Sequence, residues 1–490
     1  MNQPVDYSRK WFVMAATGMS IFLATVDGSI VNIALPTIAQ DLNADFATIE
    51  WVVLSYLLTM ATLLLSMGRL ADMRGKKSIF TAGLALFTLG SVLCAFAPSV
   101  YWLIGSRMAQ AVGGAMMLAL GTAIVTESFP PNERGRALGI TGTIVSLGSI
   151  TGPTLGGLII SVLSWHWIFL VNLPVGILAV FMAFRYIPAL KPRGGQHFDF
   201  AGAGALFVSL LSFLLALTLG QGVGFTSLLI LALFALTLAG AVAFITIERR
   251  VEQPMIDLRM FKNALFSVNL VTGLITFLAA SGVFLLMPFY MGGVLGFSTG
   301  QMGLVLTIVP ITMGIMSPIS GTLSDRFGTR PMTVIGLALL VLAFIGFSTL
   351  STDTSLLGLM ARYLPLGLGM GIFQSPNNSA IMGAAPKERL GIASGLLSLT
   401  RTLGMTMGTA LFAAIWAGNV INRVGAPLPG GAIDAPPQIQ VAAMHDTYLI
   451  VIGLVVFGLG LAAWALWQER RRRDNYAGIV GAAMAEPVVE

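Results

Sequence analysis

Fourteen runs of predominantly apolar residues, each long enough to cross a bilayer as a helix, leave this chain few folds to choose from. A hydrocarbon core of about 30 Å needs roughly 20 residues of helix. The runs lie near 11–36, 51–71, 78–97, 100–126, 137–161, 167–188, 200–220, 225–246, 264–291, 300–322, 331–350, 355–383, 391–418 and 447–468. Lipid offers no partner to a bare N–H or C=O, so spans of this length predict α-helices. Only 10% of the residues are charged, against about 25% in a soluble domain. An all-α membrane protein follows.

Lys and Arg test the count, because short cytoplasmic loops hold an excess of them. With the N-terminus inside, the cytoplasmic side receives Arg9, Lys10, Arg69, Arg74, Lys76, Lys77, Arg134, Arg136, Arg185, Lys191, Arg193, Arg249, Arg250, Arg259, Lys262, Arg326, Arg330, Lys387, Arg389 and Arg470 to Arg473. Only Arg423 falls outside. Arg107, Arg362 and Arg401 lie within runs and are functional candidates. All eight Trp fall near run ends, as interfacial anchoring expects. The chain is expected to be a multi-pass protein of the inner (plasma) membrane with both termini cytoplasmic. Its basic excess is spread over loops, which is a topology signal and not a nucleic-acid patch. The first run is too long for a signal-peptide core and lacks a small-residue cleavage site, so it reads as a retained helix.

The chain also repeats. Gly68-Arg-Leu-Ala-Asp72-Met-Arg-Gly75-Lys76-Lys77 and Gly321-Thr-Leu-Ser-Asp325-Arg326-Phe-Gly328-Thr-Arg330 share one frame at an offset of 253. Arg107 and Arg362 are 255 apart, as are Pro131-Asn-Glu133-Arg134 and Pro386-Lys-Glu388-Arg389. Two parallel six-helix halves are expected, at 1–189 and 263–468, with two inserted helices and linkers at 190–262 and a cytoplasmic tail at 469–490.

These frames resemble the major facilitator superfamily, and within it the fourteen-helix drug:proton antiporter branch. Asp27-Gly-Ser-Ile-Val-Asn32-Ile-Ala-Leu-Pro36 resembles the branch motif of its first helix, with Ser29 in place of Thr. Gly148-Ser-Ile-Thr-Gly152-Pro153-Thr-Leu-Gly156-Gly157 matches the antiporter motif at every fixed position. Trp165-His-Trp-Ile-Phe-Leu-Val-Asn172 resembles the stretch before its sixth helix, with His166 replacing Arg. Arg107-Met-Ala-Gln110-Ala111-Val-Gly113-Gly114 resembles its helix 4 motif, with Ala111 replacing the first Gly. The resemblance implies a proton-coupled antiporter that exports small amphipathic compounds, with protons as coupling ion, no other cofactor and no metal. It also implies that Gly148, Gly152, Pro153, Gly156 and Gly157 seal the cavity against leak, and that the paired loop motifs latch the inward-closed state.

Asp27 is the one carboxylate placed deep within a run, where a charged Asp costs about 2.5–3.5 kcal/mol. Burial raises a carboxyl pKa and a nearby cation lowers it, so the group reads as a proton carrier, with a fixed ion pair as the competing reading. A carboxylate locked away from every water-accessible cleft would count against the carrier. Arg107, at a depth within a few Å of Asp27, is the expected partner and Arg401 the rival. A headgroup-seeking role is the competing reading for Arg107. Asn32, five residues on, points off the Asp27 face, towards packing or gating. Gln110 shares the Arg107 face, and Gln374, Asn377 and Asn378 form a stripe, so these four and Arg401 are candidates to line a substrate cavity. Interhelical hydrogen bonding explains the amides equally well. At the cytoplasmic end, Gly68, Asp72, Gly75, Lys76, Glu127, Gly321, Asp325, Gly328 and Arg330 form the candidate gate, with Asp72 facing basic residues or a helix N-terminus and Glu127 taking Lys76.

Enzyme chemistry finds no footing. Arg74-Gly75-Lys76-Lys77 fails the phosphate-loop pattern, and His166, His197 and His445 lack metal-ligand spacing. A lipid, siderophore or metabolite exporter, or a non-transporting membrane sensor, would share the scaffold. Expected partners are a small amphipathic substrate and the bilayer. Residues 419–446, rich in Pro, Gly and Ala, form the longest external segment, open to a periplasmic adaptor but more commonly flexible filler, and the tail after Arg473 is expected to be disordered.

Overall fold

The computed structural model describes residues 7–189, 197–425 and 431–485. Among them are fifteen α-helices: α1 (Lys10–Asp41), α2 (Phe46–Arg74), α3 (Lys76–Ala95), α4 (Val100–Ser128), α5 (Arg134–Val162), α6 (Trp167–Leu170), α7 (Asn172–Tyr186), α8 (Phe200–Val223), α9 (Leu228–Glu248), α10 (Ala264–Phe289), α11 (Thr299–Phe327), α12 (Thr329–Phe347), α13 (Leu356–Ala384), α14 (Leu390–Val424) and α15 (Pro437–Ala485). The short α6 and α7 share one span, Trp167–Tyr186, which gives 14 membrane-crossing helices by length and hydropathy. Helix starts are marked by side-chain caps. Asp45, Ser99, Asp199 and Ser355 accept first-turn N–H groups, and Ser298 with Gln301 forms a capping box at α11.

Two turns at the basic end need glycine. Gly75 (φ 102°) joins α2 to α3 and Gly328 (φ 91°) joins α11 to α12. A Cβ at either would be strained, which explains the fixed Gly three residues after each motif Asp.

Helices α1 to α7 pack as one half and α10 to α15 as the other. Between them, α5 lies against α11 and α13 while α14 lies against α2 and α4. The inserted hairpin α8–α9 covers the seam beside α2 and α14, where Leu214 meets Leu58 and Ala61. Helix α9 keeps Leu228, Leu231, Leu238 and Val242 exposed, as a lipid-facing helix must.

Several expectations change. Arg362 lies within the Leu356–Ala384 span, in the second turn of α13, but it holds structure together there: Nε donates to Gly346 O (2.9 Å) and Nη2 to Thr349 Oγ1 (3.1 Å), tying down the end of α12. The 255-residue match to Arg107 therefore carries position without role. Trp165 and Trp416 sit near helix ends but are buried within the protein, where Trp165 Nε1 donates to Asp41 Oδ2 at 2.7 Å and Trp416 Nε1 to Gln440 O at 3.3 Å. Most of 419–446 is ordered as the end of α14, a 3-10 turn at Gly431–Asp434 and the start of α15, and Arg423 pairs with Asp446 at 2.6 Å. Residues 426–430, the Pro- and Gly-rich centre of that stretch, lie outside the described residues. Helix α15 continues to Ala485, so the tail is not without structure, and Glu469 pairs with Arg330. Lys191 and Arg193 lie outside the described residues.

Candidate functional site

Two polar constructions stand out, one inside the first half and one at the seam between halves. The first is built around Asp27, which is 0% exposed at mid-helix in α1. Arg107 Nη1 on α4 donates to its Oδ2 at 2.6 Å, while Gln110 Nε2 and Asn172 Nδ2 donate to its Oδ1 at 2.8 and 3.0 Å. Arg107, itself 1% exposed, also donates to Gln110 Oε1 (2.6 Å) and to Val52 O (3.3 Å). Its guanidinium carbon lies over Tyr56, 4.0 Å from the ring centroid. Ser91 on α3 accepts from both amides. The headgroup reading of Arg107 is thereby excluded, and Arg401 is not the partner.

Three N–H donors, one of them the Arg107 guanidinium, satisfy the oxygens of this fully buried carboxyl group. Gln110 belongs to this cluster and not to an open cavity, because its i+3 spacing from Arg107 turns it onto Asp27. Asn172, Ser91 and Tyr56 are the participants that sequence reading left out. The break between α6 and α7 places Asn172 at the start of α7, and a sequence signal existed in its motif. Asn32 is exposed, with its amide turned back to Gly28 O.

The glycine motif divides. A Cβ on Gly148 would lie 2.8 Å from Thr25 Cβ, and one on Gly156 2.7 Å from Ile30 Cγ1, while one on Gly152 would overlap Ser29 Oγ. All three press α5 onto α1 beside Asp27. Gly157 meets nothing within 4 Å and does not join this face, because a five-residue step from Gly152 rotates it away. Gly148→Ala is therefore expected to destabilise by ~1–3 kcal/mol through overpacking and Gly157→Ala to change little, as read from thermal unfolding of the purified protein.

The second construction joins the halves. Asp72, at the end of α2, accepts from Gly391 N (2.9 Å) and Ile392 N (3.0 Å) in the first turn of α14. Asp325, at the end of α11, accepts from Gly135 N (2.7 Å) and Arg136 N (2.9 Å) in the first turn of α5. Each carboxylate thus caps a helix of the opposite half, where unpaired N–H groups and the helix dipole favour an anion. Contact this close needs glycine on both sides. A Cβ on Gly68 would lie 2.5 Å from Gly391 O, and Gly321 and Gly135 clash in the same reciprocal way. Gly135 and Gly391 went unnoticed in sequence, although each follows the repeated Pro-x-Glu-Arg frame. Lys76 bridges Asp72 (3.1 Å) and Glu127 (2.9 Å), whereas Arg330 reaches Glu469 and not Asp325.

The remaining candidates lie in the second half. Asn377 and Asn378 on α13 line a cavity of ≈ 10 Å³ with Asn269, Gly273, Phe277 and Thr400. Asn377 Oδ1 and Gln374 Oε1 are buried without a hydrogen-bond partner. Arg401 on α14 lies over Phe277, 5.4 Å from the ring centroid. In this conformation the cavity has room for about one water.

Comparison with known proteins agrees with this architecture. The family model of the Major Facilitator Superfamily matches residues 17–409. Riboflavin transporter RibZ of Clostridioides difficile is 36% identical over 417 residues, covering 84% of this chain and 89% of that protein. Multidrug transporter protein MdtP of Bacillus subtilis is 32% identical over 455 residues, covering 91% and 84%. Among solved structures, the human organic anion transporter MFSD10 superposes with a TM-score of 0.67 at 17% identity, over 94% of this chain and 100% of that one.

Proposed function

Because the chain belongs to the major facilitator superfamily, and so is a multi-pass membrane transporter and not an enzyme, we propose that it exports small amphipathic compounds in exchange for protons by alternating access. The observation that carries this reading is the buried contact of Asp27 with Arg107, an acid and a base held together deep in the first half. A mid-membrane acid is tolerated charged while its cation stays close and neutral once the two part, so pairing and protonation change together. The relatives named for riboflavin and for multiple drugs support a small-molecule cargo.

The positive-inside bias puts the latches at Asp72 and Asp325 on the cytoplasmic side, along with both termini, so the conformation described is inward-closed. A proton arriving from outside neutralises Asp27, loosens Arg107 and weakens retention of cargo. Its loss to the cytoplasm, once the latches part, resets the pair.

Zero exposure of Asp27 favours a second reading, in which the pair is a fixed brace of the first half and carries no proton. Dye uptake into inverted vesicles under an imposed pH gradient, which is the direction of cellular efflux, separates the two. For Asp27→Asn we expect gradient-driven efflux to be lost, with membrane expression and gradient-free dye counterflow retained. Gradient-driven efflux at the native level in that variant assigns the pair to bracing.

A further inference from the structure

Among the described residues, Arg401 is a cation without a counterion. It lies about a third of the way along α14, and among the described residues it makes neither an ion pair nor a hydrogen bond, resting instead on the face of Phe277. Asp27 cannot serve it, being held by Arg107 on the other side of the molecule's seam. Ionisable residues at this depth are rare unless they pair or face a cavity. The ring under Arg401 and its chain neighbour Thr400 line one. Phe277, which carries the guanidinium on its face, also lines the small cavity beside Asn377, Asn378 and Thr400.

Two further observations point to a ligand. Asn377 is 3% exposed and its Oδ1 has no partner. Gln374 Oε1, one helical turn earlier on the same face of α13, is likewise buried and unpartnered. Buried polar atoms are almost always satisfied, so a cation on the Phe277 ring, an orphaned amide oxygen in the same cavity lining and a second one turn away on α13 are complementary to a molecule with an anionic group, a ring and hydrogen-bond donors.

We propose that Arg401, Phe277, Asn377 and Gln374 form a subsite for the anionic group of a ring-bearing amphipathic cargo. The carboxylate or sulfonate docks on the guanidinium as a two-pronged pair, the ring lies beside Phe277, and the amides accept its donors. The site fills when α10, α13 and α14 part, since it holds no more than a water in the closed form. The proposal deepens the transport reading by naming a substrate class, and it does not depend on proton coupling.

Fluorescein and rhodamine 123 are matched xanthenes of opposite charge, which makes them suitable probes. The full chain is reconstituted in phosphatidylcholine vesicles, and saturable binding and counterflow are measured without a pH gradient. This arm stands even if Asp27 carries no proton. The native protein is expected to prefer fluorescein. Arg401→Gln is expected to lose that preference by about tenfold or more while handling rhodamine 123 as before, and Arg401→Lys to keep the preference with weaker binding. An equal fall for both dyes in Arg401→Lys assigns the residue to packing and overturns the proposal. So does a native protein that binds no fluorescein or favours rhodamine 123. Loss of fluorescein binding on adding phosphatidylglycerol, absent in Arg401→Gln, would give the cation to a lipid headgroup and equally overturn it.

Discussion

Arg107→Leu should be the most damaging single change in the first half, at a cost of ~3–5 kcal/mol, because it strands the Asp27 carboxylate without a cation in a site water does not reach. Gln110 and Asn172 remain as donors, but neutral amides do not compensate a buried charge. The protein is expected to respond by misfolding or by keeping Asp27 protonated. Thermal unfolding in detergent reads the first outcome and loss of gradient-driven efflux the second. The informative partner is the double variant Asp27→Asn with Arg107→Leu. Removing both charges is expected to recover most of the lost stability, since a neutral pair leaves no orphaned ion, and the carboxamide oxygen that replaces the carboxylate still accepts from the Gln110 and Asn172 amides. Transport coupled to the gradient should not return. If stability and coupled transport recover together in the double variant, the charge pair has no part in coupling.

Gly391→Leu should abolish transport by a different route. A Cβ there would lie 2.5 Å from Gly68 O and 2.7 Å from Asp72 Oδ1, the one a backbone atom and the other part of the carboxylate that caps α14. The halves cannot close at that end without displacing α2 from α14. Folding of each half is left untouched, so the variant is expected to reach the membrane at native levels and to transport at least tenfold more slowly than the native protein. Accessibility gives the structural readout. Ser375 is buried at the seam, where its Oγ donates to Gly135 O at 2.8 Å, and the chain's one cysteine, Cys94, is buried. A cysteine at position 375, in a chain with Cys94→Ala, should react with an impermeant maleimide applied at the latch end only when Gly391→Leu holds the seam open. Native-like protection in that variant would mean that the contact does not govern closure.

Much of this was visible in one dimension. Asp27 and Arg107 could be paired from depth alone, since helical rise converts residue number into height and few intramembrane charges compete. The latch motifs could be located because they repeat, and Glu127 could be assigned to Lys76 because the ends of α3 and α4 meet at one level. What escaped was lateral. Asn172 joins Asp27 from the span that α6 and α7 share, and Gly135 and Gly391 face their partners across the halves, none of which depth can reveal. Arg362 misled for the opposite reason: its repeat position matched Arg107, but its guanidinium meets the carbonyls of a helix end where Arg107 meets an acid.

Span number, topology signals and the presence of one deep acid are properties of the chain itself, because insertion into lipid is decided segment by segment by hydropathy and charge. Which helices touch, whether that acid is sealed or open to water, and why Arg401 stands without a counterion among the described residues were decided by the packing of fourteen spans around a seam. Azimuth about each helix axis is set by neighbours that lie far away in sequence, and a hydropathy pattern holds height but almost no azimuth when most faces are equally apolar.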